Sequence, residues 1–216
     1  MSTPQLRFRL PGRWFSVDLS STEATAASIR RIAKDSVGPA DDRAPERARV
    51  RHQLEEAVAA GARGDLRAIM FSTEIALGTP LPVTLLVFEP ADLRMSPAIG
   101  TAPQAVLAVM AEGLRELDPI AHASMVEVRG PGAPALRTHR VEPVADGSEA
   151  DGSTRLSADY WIPVPGTKQM LLVRFSTPLG ELENMMCALF DEYIAVSYFT
   201  NVRPPSLREQ LLAVKG

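Results

Sequence analysis

Three histidines, one cysteine and a run of arginines are the side chains in this sequence with chemistry to offer, and their spacing limits that chemistry. His52, His122 and His139 are scattered, with no His-x-x-His or Glu-x-x-His pair to pre-position two metal ligands on one helical face. Cys187 stands alone, which excludes an internal disulfide and a thiolate metal cluster. A nucleophilic thiol needs an electropositive, partly exposed setting. The neighbours Met185, Met186, Ala188 and Leu189 point instead to a buried, inert one. There is no G-x-S-x-G elbow, no P-loop and no G-x-G-x-x-G. Gly130, Pro131 and Gly132 read as a turn, because proline presents no N–H to a phosphate. Residues 146–153 only superficially resemble a calcium loop: Ala150 falls where an oxygen ligand is needed, and no closing Glu follows. The expectation is a chain without metal, cofactor or catalytic centre, hence not an enzyme.

Binding surfaces are the other possibility. Arg43, Arg47 and Arg51 recur at i, i+4 and i+8 on one helical face, a pattern suited to an acidic partner or to phosphates. Asp41, Asp42, Glu46, Glu55 and Glu56 are interleaved with them, which favours a solvated, self-paired surface. No aromatic residues are interspersed and the formal charge is −3, so nucleic acid is not expected. Charge is uneven, with residues 1–70 at +3 and residues 71–216 at −6. Met185, Met186 and Phe190 could line an adaptable apolar pocket between a sheet and the last helix, for a small molecule or lipid; ordinary core filling is the plainer reading. The segment after Pro204 and Pro205 carries a Ser206-x-x-Glu209 capping box with Leu207, Leu211 and Leu212 behind it. A helix that short does not hold alone in water, so its leucines must dock on their own domain, a second subunit or a partner.

The elements that would position these residues follow from periodicity. Residues 160–165 and 169–176 read as a hairpin around Gly166 and Thr167, and Pro178 opens a helix with Leu182, Met185, Met186, Leu189, Tyr193 and Val196 as its apolar stripe. Residues 6–10 and 14–19 give an opening strand or bent pair, with Trp14 a candidate exposed anchor and Trp161 a core residue. Ser20 and Glu23 form a capping box for a helix to about Val37, ended by Gly38 and Pro39. A second helix buries Val50, Leu54, Ala57 and Val58 and closes at Gly61. Strands over 66–75 and 83–88 follow, the latter apolar throughout and therefore central. A helix over 102–117 offers Val106, Val109, Met110 and Leu117 to the core, and strands over 125–129 and 136–141 precede a polar loop. Hairpin-length connections dominate, so the fold expected is α+β: a single domain over 1–202, a mostly antiparallel sheet of six or seven strands flanked by helices, then a helical tail over 203–216.

Two stretches carry a resemblance. Pro11, Gly12, Trp14, Phe15, Val17 and Leu19 at the start, and residues 160–166 with 172–178 and the helix through Asp191, resemble a family of uncharacterised actinobacterial proteins associated with type VII secretion neighbourhoods. The layout is similar to the PsbP-like α/β/α sandwich. Fold alone delivers no function. What the first resemblance implies is a cytoplasmic, non-enzymatic accessory or adaptor protein acting on another protein, a secretion component or a second copy of the chain. Arg43, Arg47, Arg51, Leu207, Leu211 and Leu212 would be its partner-binding residues. No N-terminal apolar leader is apparent, and no run approaches the ~20 residues of a membrane span.

Overall fold

The apolar run at 83–88 does become the middle of a sheet. The computed structural model describes residues 4–61, 65–76, 79–91, 93, 95, 98–143 and 154–202. In chain order it places β1 (Gln5–Arg7), β2 (Arg13–Ser16), α1 (Thr22–Val37), α2 (Ala44–Gly61), β3 (Leu66–Ala76), β4 (Thr79–Phe88), α3 (Pro103–Leu117) and α4 (Pro119–Ala123). Then come β5 (Val126–Arg129), β6 (Pro134–Pro143), β7 (Thr154–Pro163), β8 (Met170–Thr177), α5 (Glu183–Ala195) and β9 (Tyr198–Thr200). Seven strands form one antiparallel sheet in the order β2-β3-β4-β8-β7-β6-β5, while β1 and β9 pair separately, Leu6 opposite Phe199. This is an α+β single domain with, among the described residues, five helices flanking the sheet.

Side-chain alternation splits the sheet into two unlike faces. On one, Leu85, Val87, Tyr160, Val173 and Phe175 pack beneath α5, against Met186, Phe190, Tyr193 and Ile194. On the other, Ile69, Phe71, Leu86 and Phe88 lie under α1 and α2, against Ile29, Ile32 and Leu54. Further along that second face, Leu136 and Met170 meet Val106, Leu107, Met110 and Leu114 of α3. Strand β4 contributes to both sides, which is why its sequence is apolar without a break.

Several local expectations need correction. The N-cap of α1 is Ser21, whose Oγ accepts from the N–H of Ala24 at 3.1 Å; Ser20 instead donates its N–H to Asp18 Oδ1 at 2.9 Å. Gly38 does end the helix, at a φ of 99° that favours glycine. In α3 the buried stripe is Val106, Leu107, Met110 and Leu114; Val109 and Leu117 face solvent. The chain turns at Asp118, which caps α4 through an N–H from Ala121 at 3.1 Å, so Leu117 is carried off the sheet. In α5 the buried residues are Met186, Cys187, Phe190, Tyr193 and Ile194, so Leu182, Met185 and Val196 lie outside the packed face. The short elements α4 and β9 are too brief to leave a periodic signal. Trp14 is half-buried, not an anchor: its Nε1 donates to the Pro11 carbonyl at 2.8 Å and its ring edge meets Tyr193 at 6.4 Å. The tail and the polar loop fall outside the described residues.

Candidate functional site

Where the second face passes between the α1–α2 and α3–α4 pairs, the strands stop being apolar. Three cross-strand rows show the change. Leu136, Trp161 and Leu172 lie opposite one another and are apolar. The next row is Thr138, Asp159 and Arg174, and the next is Arg140, Ser157 and Ser176. Thr84 of β4 extends that last row, and Gln53 of α2 reaches down to its hydroxyl at 3.1 Å. A cleft of about 300 Å³ opens over these rows. The wall from α3 and α4 is Leu114, Asp118 and Ala121, and Glu142 closes the far end of β6.

The floor is held by ion pairs. Arg174 grips Asp159 with two hydrogen bonds, Nε to Oδ1 at 2.6 Å and Nη2 to Oδ2 at 2.7 Å. That fork geometry is the strong, orienting form of the pair. The Asp159 hydrogen bonds hold the Arg174 guanidinium pKa above its ordinary value, against the opposing effect of burial. At the rim, Arg140 donates to Asp118 from Nη2, so one carboxylate both caps α4 and clamps it to β6. Ser124 strengthens the same seam, its hydroxyl exchanging bonds of 2.9 Å with the backbone of His139. The Ser157 and Ser176 hydroxyls are 3.3 Å apart. The indole N–H of Trp161 is buried without a partner. Counted over the charged lining residues, three carboxylates (Asp118, Glu142, Asp159) face two guanidinia (Arg140, Arg174).

The opposite face carries a second polar cluster of another kind. Arg137 Nη1 donates to Asp191 Oδ2 at 2.6 Å, and Tyr160 donates its hydroxyl to Asp191 Oδ1 at 2.8 Å, fastening α5 to the sheet. Burial, and then the charge of Asp191, drive the Tyr160 pKa well above its ordinary value. Burial also raises the Cys187 thiol, which suits the inert reading of that residue.

The residues singled out in the sequence do not assemble into one site. Arg43 pairs with Glu46 at 2.8 Å. Arg47 donates to the carbonyls of Gly38 and Ala40 at 2.8 and 2.6 Å, clipping the turn between α1 and α2. Arg51 is exposed, beside a His52–Glu56 contact of 3.4 Å. Leu207, Leu211 and Leu212 lie outside the described residues. Met186 and Phe190 are 1% and 0% exposed within the core, whereas Met185 is 59% exposed, so the three line no common pocket and none lines the cleft. His139 stands opposite Ala158 on β6 and is among the residues that line the cleft. Among the described residues no group of His, Cys, Asp and Glu is placed to hold a metal ion, and no helix is long and apolar enough to cross a membrane. Asp159, Arg174, Asp118 and Arg140 were missed by sequence reasoning. Their one local signal is the alternation of Ser157 and Asp159 with Leu156, Ala158 and Tyr160, the mark of a strand with one polar face.

No protein-family model matches the chain, and no curated protein does. Among solved structures, the crystal structure of LpqN, described as involved in cell envelope biogenesis of Mycobacterium tuberculosis, is similar over 92% of this chain and 84% of its own. The identity is 11% and the TM-score 0.40, a likeness too slight to carry an argument about function. It does not bear on the actinobacterial or PsbP-like resemblances.

Proposed function

We propose that this chain is a non-enzymatic accessory protein that acts by binding another protein, and that the cleft with the ridge beside it is the binding face. The observation that carries this reading is the pair Leu117 and Ile120, which are 88% and 76% exposed and bracket the cleft residue Asp118. Two large aliphatic side chains held out at a rigid helix junction supply apolar contact. The polar floor next to them supplies orientation, the division of labour found in interfaces. With carboxylates in excess by one, the cleft favours a neutral or basic side chain of the partner over an acidic one.

The alternative, a small molecule or lipid between the sheet and the last helix, meets Met186 and Phe190 already packed in the core, and in the cleft an acyl chain would have to cover an ionic floor. A small polar molecule in the same cleft stays as the second reading, its volume being at the low end for ligand sites. What supports the non-enzymatic reading is that the serine hydroxyls on the floor lie within hydrogen-bond reach of each other. A cytoplasmic location and a link to a secretion apparatus belong to this proposal on the strength of the motif resemblance alone; fractionation of native cells tests the first.

The deciding experiment compares the parent chain with Leu117→Asp/Ile120→Asp and with Arg51→Glu, each confirmed as folded by circular dichroism, in quantitative capture from native lysate. A protein retained by the parent and by Arg51→Glu but depleted at least tenfold by the Leu117/Ile120 double variant is the expected result. Identical retention by all three would overturn the proposed face. Loss with Arg51→Glu alone would return the interface to α2.

A further inference from the structure

Helix α5 is apolar on two sides, and the sheet covers one of them. Its inner side, Met186, Phe190, Tyr193 and Ile194, is filled core. Its outer side carries Leu182 just before the helix and Met185, 44% and 59% exposed, then half-buried Leu189, then Val196 just past its end, 41% exposed. Those positions are spaced by three, four and seven residues, the repeat of a helix–helix seam. In the chain beyond it, Tyr198 and Val202 are 41% and 43% exposed, with the Arg9 guanidinium 4.9 Å over the Tyr198 ring. Five of the ten large exposed apolar residues among those described therefore fall within this one stretch of chain. A helix with apolar residues on both sides is built to be covered on both.

We propose that the outer side of α5 is the dock for this chain's own segment 203–216. Position, pattern and charge each favour that occupant. The segment begins seven residues beyond Val196, which closes the seam. Leu207, Leu211 and Leu212 give it one apolar side. Arg203, Arg208 and Lys215 against Glu209 give it a charge of +2, and the seam is flanked by exposed Glu181 and Glu192. Because the segment is tethered, its effective concentration is of order millimolar, and weak contacts suffice to keep it seated. This inference is independent of the cleft.

The test uses the full chain with Cys187→Ala, so that introduced thiols are the only ones present. Met185→Cys is combined with Leu211→Cys, and the control combines Arg51→Cys with Leu211→Cys. Under mild oxidation the first pair is expected to close an intrachain disulfide at least tenfold faster than the control, with monomer mobility on a non-reducing gel. Disulfide-linked dimers would make a second copy the occupant and overturn the proposal, as would closure no faster than the control. A second readout does not depend on sulfur geometry: Leu207→Asp/Leu211→Asp should shift the Met185 methyl resonance and leave buried Met170 unmoved. An unchanged Met185 signal counts against the dock.

Discussion

The two faces of the sheet are built from the same strands and serve different ends. On the α5 side, Tyr160 and Val173 stand opposite each other in a filled apolar layer; one residue away, Asp159 and Arg174 stand opposite each other on the floor of a cleft. Both sides contain an arginine–aspartate pair. Arg137 and Asp191 are 14% and 29% exposed and join a helix to the sheet, while Arg174 and Asp159 are 39% and 20% exposed and join two strands that already pair through their backbones. The first pair, with the Tyr160 hydroxyl on the same carboxylate, ties α5 to the sheet beside its packed side. The second adds little to a sheet that is already formed. Where a polar pair is redundant for the fold, its surviving explanation is what it presents to a visitor.

The comparison breaks first if the α5 face is not the stable one. Phe190 is fully buried and stacks on Phe175 with ring centroids 4.5 Å apart. Phe190→Ala removes the ring and leaves a cavity between helix and sheet, so it should cost about 3–5 kcal/mol, read as a lower urea midpoint with little change in m. Binding at the cleft by the molecules that remain folded should be unaltered. A loss under 1 kcal/mol would mean that α5 is held by something other than this packing.

How far the sequence anticipated this division follows from how each part is encoded. Strand β4 was legible because a strand covered on both faces has no polar position, and 83–88 has none beyond Thr84. The hairpin β7–β8 was legible from its turn. The stripe of α5 was misassigned because Leu182, Met185, Leu189 and Val196 are as apolar as the true inner set, and periodicity cannot say which of two apolar sides meets the sheet. The cleft was illegible for a different reason. Its parts, Asp118, Arg140, Asp159 and Arg174, come from four separate stretches and become neighbours only through strand register and the turn at Asp118. Arg47 belongs to a regular basic pattern and also donates to two backbone carbonyls, a role that spacing along one helix does not reveal.

An alkaline titration sharpens the contrast at intermediate scale. Burial raises the folded-state pKa of Tyr160, Cys187 and Tyr193, all on the α5 side. An acid whose pKa is raised by folding keeps its proton in the native state and loses it on unfolding. Its contribution is therefore fully present below the unfolded pKa and is lost as pH rises toward the folded one. The ordinary values are 9.0 for the thiol and 10.0 for the phenols, so stability should begin to fall above about pH 9. Above pH 10, Tyr160 alone should contribute about 1.4 kcal/mol per unit to the decline. Urea midpoints between pH 7 and 11 read this directly. Cys187→Ala should delay the onset, and a flat profile to pH 11 would mean these groups are not buried as described.

The smallest effect on stability is expected where the largest effect on binding is. Asp159→Ala and Arg174→Ala each break a partly exposed cross-strand pair, and such pairs stabilise proteins by about 0–1 kcal/mol. The backbone ladder between β7 and β8 is unaffected, so the melting temperature should move by only a few degrees. Partner binding should respond far more, because each substitution leaves an unpaired charge on the floor and frees the remaining side chain to rotate. The double variant separates the two roles. If the pair is merely structural, removing both charges restores whatever the single changes lost, in binding as in stability. If the pair presents a recognition surface, the double variant recovers stability but not capture of the partner identified with Leu117 and Ile120. That divergence between a recovered midpoint and an unrecovered interaction is the signature that distinguishes a working cleft from a gap between helices.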